Sequence, residues 1–141
     1  MSVLAPGLRA FLDEHVVGVL ATRSAAGRVH QSLVYYARAG DELLISTEAG
    51  RRKALDVAET GWASLCVMGH ERPFPSVTVS GPAEIRREGI GVATATIARR
   101  MLALEEPPEP QTDEALASAS RVIVALRVEH VGPASYVELG G

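Results

Sequence analysis

Leu44-Ile45-Ser46-Thr47-Glu48-Ala49-Gly50-Arg51-Arg52-Lys53 changes its periodicity halfway along. The first half is an apolar, strand-like run; the second opens a helical pattern that reaches Thr60 and ends near Gly61. Lys53 is the only lysine of the chain, against thirteen arginines. A compact ammonium suits a phosphate oxygen, whereas a guanidinium is a planar fork suited to paired acceptors. A helix start adds free N–H groups and a dipole that favours an anion. Thr47, Arg51, Arg52 and Lys53 therefore read as a phosphate grip. The same residue types serve equally well as a solvated helix start.

Working outward, Pro6 to His15 has the spacing of a short helix, with proline in its first turn and Leu8, Phe11 and Leu12 on one side. Val16 to Thr22 is a strand, Ser24 to Gly27 a tight turn, and Arg28 to Ala37 a second strand. Alternation puts Val29, Gln31, Leu33 and Tyr35 on one face of that strand and His30, Ser32, Val34 and Tyr36 on the other. Glu42 to Thr47 follows as a third strand, which predicts a three-stranded meander. Beyond the helix, Trp62 to Met68 and Phe74 to Arg86 are further strands, the latter bent at Gly81-Pro82. Gly89 to Leu104 is helical, and the acidic, proline-rich stretch Glu105 to Asp113 is an exposed loop. Thr112 caps a last short helix through Ala119. Arg121 to Glu129 closes the sheet as a sixth strand, and Ser135 to Leu139 adds a short one. Residues 1–141 read as one domain, mainly β with flanking helices: an antiparallel barrel with helices over its open sides.

Bulk properties exclude several classes. A formal net charge of -3 offers nucleic acid no basic face. The lone Cys66 rules out an internal disulfide and a four-cysteine zinc site, and its apolar surroundings predict a small buried side chain. His15, His30, His70 and His130 lack metal-ligand spacing, so no metal is expected. No apolar window approaches the roughly 20 residues that span a bilayer, and the N-terminus has no signal-peptide pattern. The cytoplasm is the expected address.

Three features together resemble the split-barrel flavin- and deazaflavin-binding proteins related to pyridoxamine 5′-phosphate oxidase. They are the hairpin from Gly18 to Tyr36, the segment from Leu44 to Lys53, and the paired strands Ala63 to Val67 and Ser76 to Ile85. The resemblance implies a six-stranded antiparallel split β-barrel that forms a homodimer, with cofactor sites at the subunit boundary. It implies that Arg51 or Arg52, with Lys53, contacts a cofactor phosphate, that Ser46 or Thr47 donates a hydroxyl, and that Gly50 belongs to the same loop. Gln31, Ser32, Leu33 and Val34 would border the ring. The family often has asparagine where this chain has Asp56. Catalytic side chains are not identifiable from the pattern, as expected where the cofactor carries the chemistry.

The branch follows from charge. Adjacent arginines beside a lysine suit more negative charge than one monoester, and coenzyme F420 has a phosphodiester and a polyglutamate tail. The expectation is a coenzyme F420-dependent oxidoreductase acting on a small organic substrate, with FMN as the alternative cofactor. A non-catalytic flavin, deazaflavin or haem carrier is the reading from another class. His30 is a candidate proton donor, though a surface strand histidine is the stronger reading, and Tyr136 is a candidate pocket cap.

Overall fold

The computed structural model describes residues 2–132. In chain order the elements are α1 (Pro6–Glu14), β1 (Val17–Arg23), β2 (Val29–Tyr35), β3 (Ala37–Ala39), β4 (Glu42–Glu48) and α2 (Arg52–Thr60). They continue with β5 (Trp62–Met68), β6 (Ser76–Arg86), α3 (Gly91–Leu102), α4 (Asp113–Ser118), β7 (Arg121–Arg127) and β8 (His130–Val131). The strands follow one antiparallel path, β2-β1-β5-β6-β7-β4-β3, with β8 added beside β6.

The two ends of that path are consecutive in the chain, because Tyr36 alone separates β2 from β3. The sheet therefore curls until its first and last strands meet. Tyr36 fixes this seam: its N–H donates to Val16 O at 3.2 Å, and its hydroxyl donates to Leu12 O at 2.6 Å. The second seam is β6, whose Ser76–Pro82 half pairs with β5 and whose Ala83–Arg86 half pairs with β7. The expected bend at Gly81-Pro82 is the point where β6 changes sheet. A Cβ on Gly81 would stand 2.0 Å from Arg127 O, so glycine alone lets the chain after β7 pass this close.

The meander is corrected. β4 lies along β7 for seven residue pairs and along β3 for three, so the body of the second strand belongs to the other half of the barrel. The break at Tyr36 depends on contacts with α1 and the start of β1, which strand periodicity does not encode. Cys66 is also corrected: it is half-buried, on the outer face of β5, where its inward neighbours Leu65 and Val67 fill the core. The expected strand Ser135–Leu139, and Tyr136 with it, lie outside the described residues.

Two apolar layers position the site. Leu20, Val34, Leu43, Ile45, Leu65, Val79, Val124 and Leu126 fill the barrel and meet Leu8 and Leu12 of α1. On the outer side of β4 and β7, Leu44, Ile123 and Ala125 pack against Ile97 of α3 and Leu116 of α4. β4 and β7 are covered on both faces, which explains their nearly continuous apolar runs. α2 ends on Gly61 in the left-handed region (φ 68°), whose N–H donates to Val57 O at 2.8 Å. Thr112 caps α4 as expected, accepting from the Ala115 N–H at 3.1 Å. Among the described residues, no helix is long and apolar enough to cross a membrane.

Candidate functional site

The end of β4, the start of α2, the end of β2 and one side of α3 enclose an open groove of about 410 Å³. β4 brings Ser46, Thr47 and Glu48, and the turn into α2 brings Arg51 and Lys53. Leu33, Val34 and Tyr35 contribute from β2, which among the described residues pairs only with β1, so its other edge offers backbone groups that no described strand takes up. Thr94, Ile97, Ala98 and Met101 lie at helical spacing on α3 and form the opposite wall.

Arg121, at the first position of β7, completes the cationic end. Its register partner is Glu48. Its guanidinium donates to Ser46 Oγ at 2.9 Å and stands 3.9 Å from a Glu48 carboxylate oxygen. Arg51, Lys53 and Arg121 thus share the groove with one carboxylate. Lys53 is half-buried, and no hydrogen bond or ion pair holds its ammonium among the described residues. Burial, and then the neighbouring Arg51 charge, hold its pKa below the usual lysine value. Two cations in a partly dry groove favour an anion between them.

The structure brings together Leu33, Val34, Ser46, Thr47, Arg51 and Lys53 of the expected set. It sets four others apart. Arg52 points to the opposite side of α2, where its Nε donates to Asp56 Oδ1 at 3.0 Å. Asp56 is buried at 1% exposure, and its other oxygen accepts from the buried Thr22 hydroxyl at 2.9 Å. The Thr22–Asp56 bond anchors α2 on β1 and so orients Arg51 and Lys53. Gln31 is exposed one repeat back along β2, and Ser32 is directed inward with its hydroxyl unpartnered among the described residues. Gly50 is exposed in the turn and does not line the groove. His30 lies beside Arg28 and Arg52 along a separate cavity.

Arg121, Glu48 and the α3 wall were not legible as site residues. Arg121 reaches the groove only through the β4–β7 register, a pairing across more than seventy residues with no local signal. α3 was legible as a helix, but not the surface it faces. Among the described residues, no three His, Cys, Asp or Glu side chains gather as a metal site.

The family model for pyridoxamine 5′-phosphate oxidase matches residues 4–133. Among solved structures, an F420 reductase superposes with a TM-score of 0.69 at 22% identity, over 88% of this chain and 94% of its own. A conserved hypothetical protein from Mycobacterium tuberculosis gives 0.74 at 21% identity, over 99% and 90%. The haem storage protein HutZ from Vibrio cholerae gives 0.69 at 16% identity, over 95% and 96%. At such identities the likeness is one of fold. No curated protein matches by sequence. The family model, which spans nearly the whole length and agrees with a barrel seamed at Tyr36 and Gly81, shows that this chain belongs to the pyridoxamine 5′-phosphate oxidase family of flavin-binding split barrels.

Proposed function

We propose that this protein is an oxidoreductase that holds a phosphorylated deazaflavin, coenzyme F420, in the groove and acts on a small organic compound; FMN is the alternative ligand. One observation carries the reading: Arg51, Lys53 and Arg121 share with Ser46 and Thr47 a groove that Leu33, Ile97, Ala98 and Met101 also line. The lowered pKa of Lys53, which no described residue pairs with a carboxylate, fits a site that receives an anion. Arg121 is a third cation where Arg52 had been expected, so the charge still suits a ligand richer in negative groups than one monoester.

When bound, the ring system supplies the hydride chemistry. The protein supplies position and dryness. Arg51 and Lys53 neutralise the phosphate, and the hydroxyls of Ser46 and Thr47 direct it. Leu33, Ile97 and Met101 exclude water from the ring, and the edge of β2 turned away from β1 offers it backbone hydrogen bonds.

Side-by-side titration of the purified protein with coenzyme F420, FMN and haemin, followed by fluorescence and absorbance, tests this. Saturable one-to-one binding of F420, tighter than that of FMN, is expected. Tighter FMN binding would move the assignment to the flavin branch, and binding of haemin alone would replace an enzyme with a carrier.

A second copy of the chain is the proposed cover for the open side of the groove. Leu33 is 75% exposed, and Tyr35 and Met101 expose apolar surface along the same groove. Sedimentation at micromolar concentration is expected to give the dimer mass; a monomer that still binds cofactor fully would remove the second copy from the site.

A further inference from the structure

α3 borders a second cavity, of about 260 Å³, on its other flank. The helix contributes Gly91, Thr94, Ala95 and Ala98, and the loop between α3 and α4 contributes Glu109 and Gln111. Thr94 and Ala98 also line the cation-bearing groove, so the two spaces share one wall. These residues stand one turn apart, with Ile97 and Met101 to the groove side and Gly91 and Ala95 to the other. Both side chains of the shared wall are short, so it is low.

The chain builds this cavity by holding the loop against the helix. A Cβ on Gly91 would stand 2.4 Å from Gln111 O, so glycine is what permits the loop backbone to lie there. Asp113 fastens the same end by accepting the Gly89 N–H at 3.1 Å. Charge then divides the two spaces. The groove carries Arg51, Lys53 and Arg121. From Met101 to Ser120 the chain has Glu105, Glu106, Glu109, Asp113 and Glu114 and neither lysine nor arginine. Of the two arginines in the last turn of α3, Arg100 is committed to the carbonyls of Tyr36 and Asp13; Arg99, one turn beyond Ala95, is not among the residues that line the cavity, whose one charged lining residue is Glu109.

We infer that this cavity is the subsite for the organic co-substrate, and that it favours small neutral or cationic molecules over anions. The inference rests on the assignment of the neighbouring groove to the cofactor. The shared low wall would place a co-substrate beside the ring, while the acidic loop repels the class of ligand that the basic end attracts. The size restricts the occupant to something smaller than the usual drug-sized ligand, whose pockets begin at about 300 Å³.

Nicotinamide, its ring-methylated cation and nicotinate present one ring in three charge states. They would be titrated into nitrogen-labelled protein while the amide signals of Gly91, Ala95 and Gln111 are followed. The neutral and cationic probes are expected to shift these amides saturably, with the cation bound roughly threefold to fivefold more tightly than nicotinate, the scale of one exposed charge pair. Glu109→Lys, at an exposed position without a hydrogen bond or ion pair among the described residues, should reverse that order and leave F420 affinity unchanged. Shifts scattered away from α3, or an order unaltered in Glu109→Lys, would overturn the subsite even if F420 binds. If the probes behave as expected while neither F420 nor FMN binds, the cavity stands as a binding site, but its role as co-substrate subsite is overturned with the groove assignment.

Discussion

Gly81→Ala is expected to lose about 2–4 kcal/mol of folding stability and to lower the melting temperature by roughly 10 °C. The added methyl group would meet Arg127 O at 2.0 Å and Glu129 N at 3.0 Å. Both are backbone atoms, so no rotamer change relieves the clash. Relief requires the chain after β7 to move away, which breaks the Glu129 N–H bond to Ser80 O at 3.0 Å. It also loosens the changeover by which β6 joins the two halves of the barrel. Gly50→Ala is the control: its backbone is not left-handed, and no atom stands within 4 Å of the new Cβ. Its stability should stay within about 0.5 kcal/mol of wild type. Chemical denaturation of the three proteins decides the matter, and equal midpoints would show that the seam at Gly81 tolerates a side chain.

That seam was legible because glycine followed by proline inside a strand pattern has few structural meanings. The capped ends of α2 and α4 were legible for a similar reason, since Gly61 and Thr112 act on their own neighbours. The seam at Tyr36 was not. Its residues alternate smoothly through Tyr35 and Tyr36, and the interruption comes from Val16 and Leu12, which are distant in sequence. Strand alternation reports which face is wet; it does not report where a strand changes partners.

The basic segment shows the same division. Its composition announced an anion site, but successive residues entering a helix point in different directions. Arg51 and Lys53 reach the groove, and Arg52 turns to Asp56. The spacing of Arg52 and Asp56, one helical turn apart, held the signal for that pair. Asp56 thus has a physical role: its carboxylate binds the arginine more strongly than an amide would, and it holds α2 against Thr22. Arg121 had no comparable signal, because its place depends on the register of two strands far apart in sequence.

Lys53→Ala is expected to weaken F420 or FMN binding by about 1.5–3 kcal/mol, or roughly tenfold to 150-fold in Kd, the scale of a charge-assisted hydrogen bond in a partly dry site. Fluorescence titration measures it, and an unchanged Kd would reduce the segment to a solvated helix start. Arg52→Ala is the matched comparison, since that guanidinium faces away from the groove; it should cost stability of α2 and little affinity. The pH dependence sharpens the test. Only the protonated amine attracts an anion, and burial together with Arg51 already holds the Lys53 pKa below the ordinary lysine value. Affinity should therefore be full below that lowered pKa and fall as pH rises through it, so the alkaline loss begins earlier than an unperturbed lysine would give. Lys53→Arg keeps its charge at every accessible pH and should lose this limb while retaining most of the affinity near neutrality. Ionisation of the ligand itself is common to both proteins, so the difference between their profiles isolates the lysine. Superimposable profiles would mean that Lys53 does not meet the phosphate.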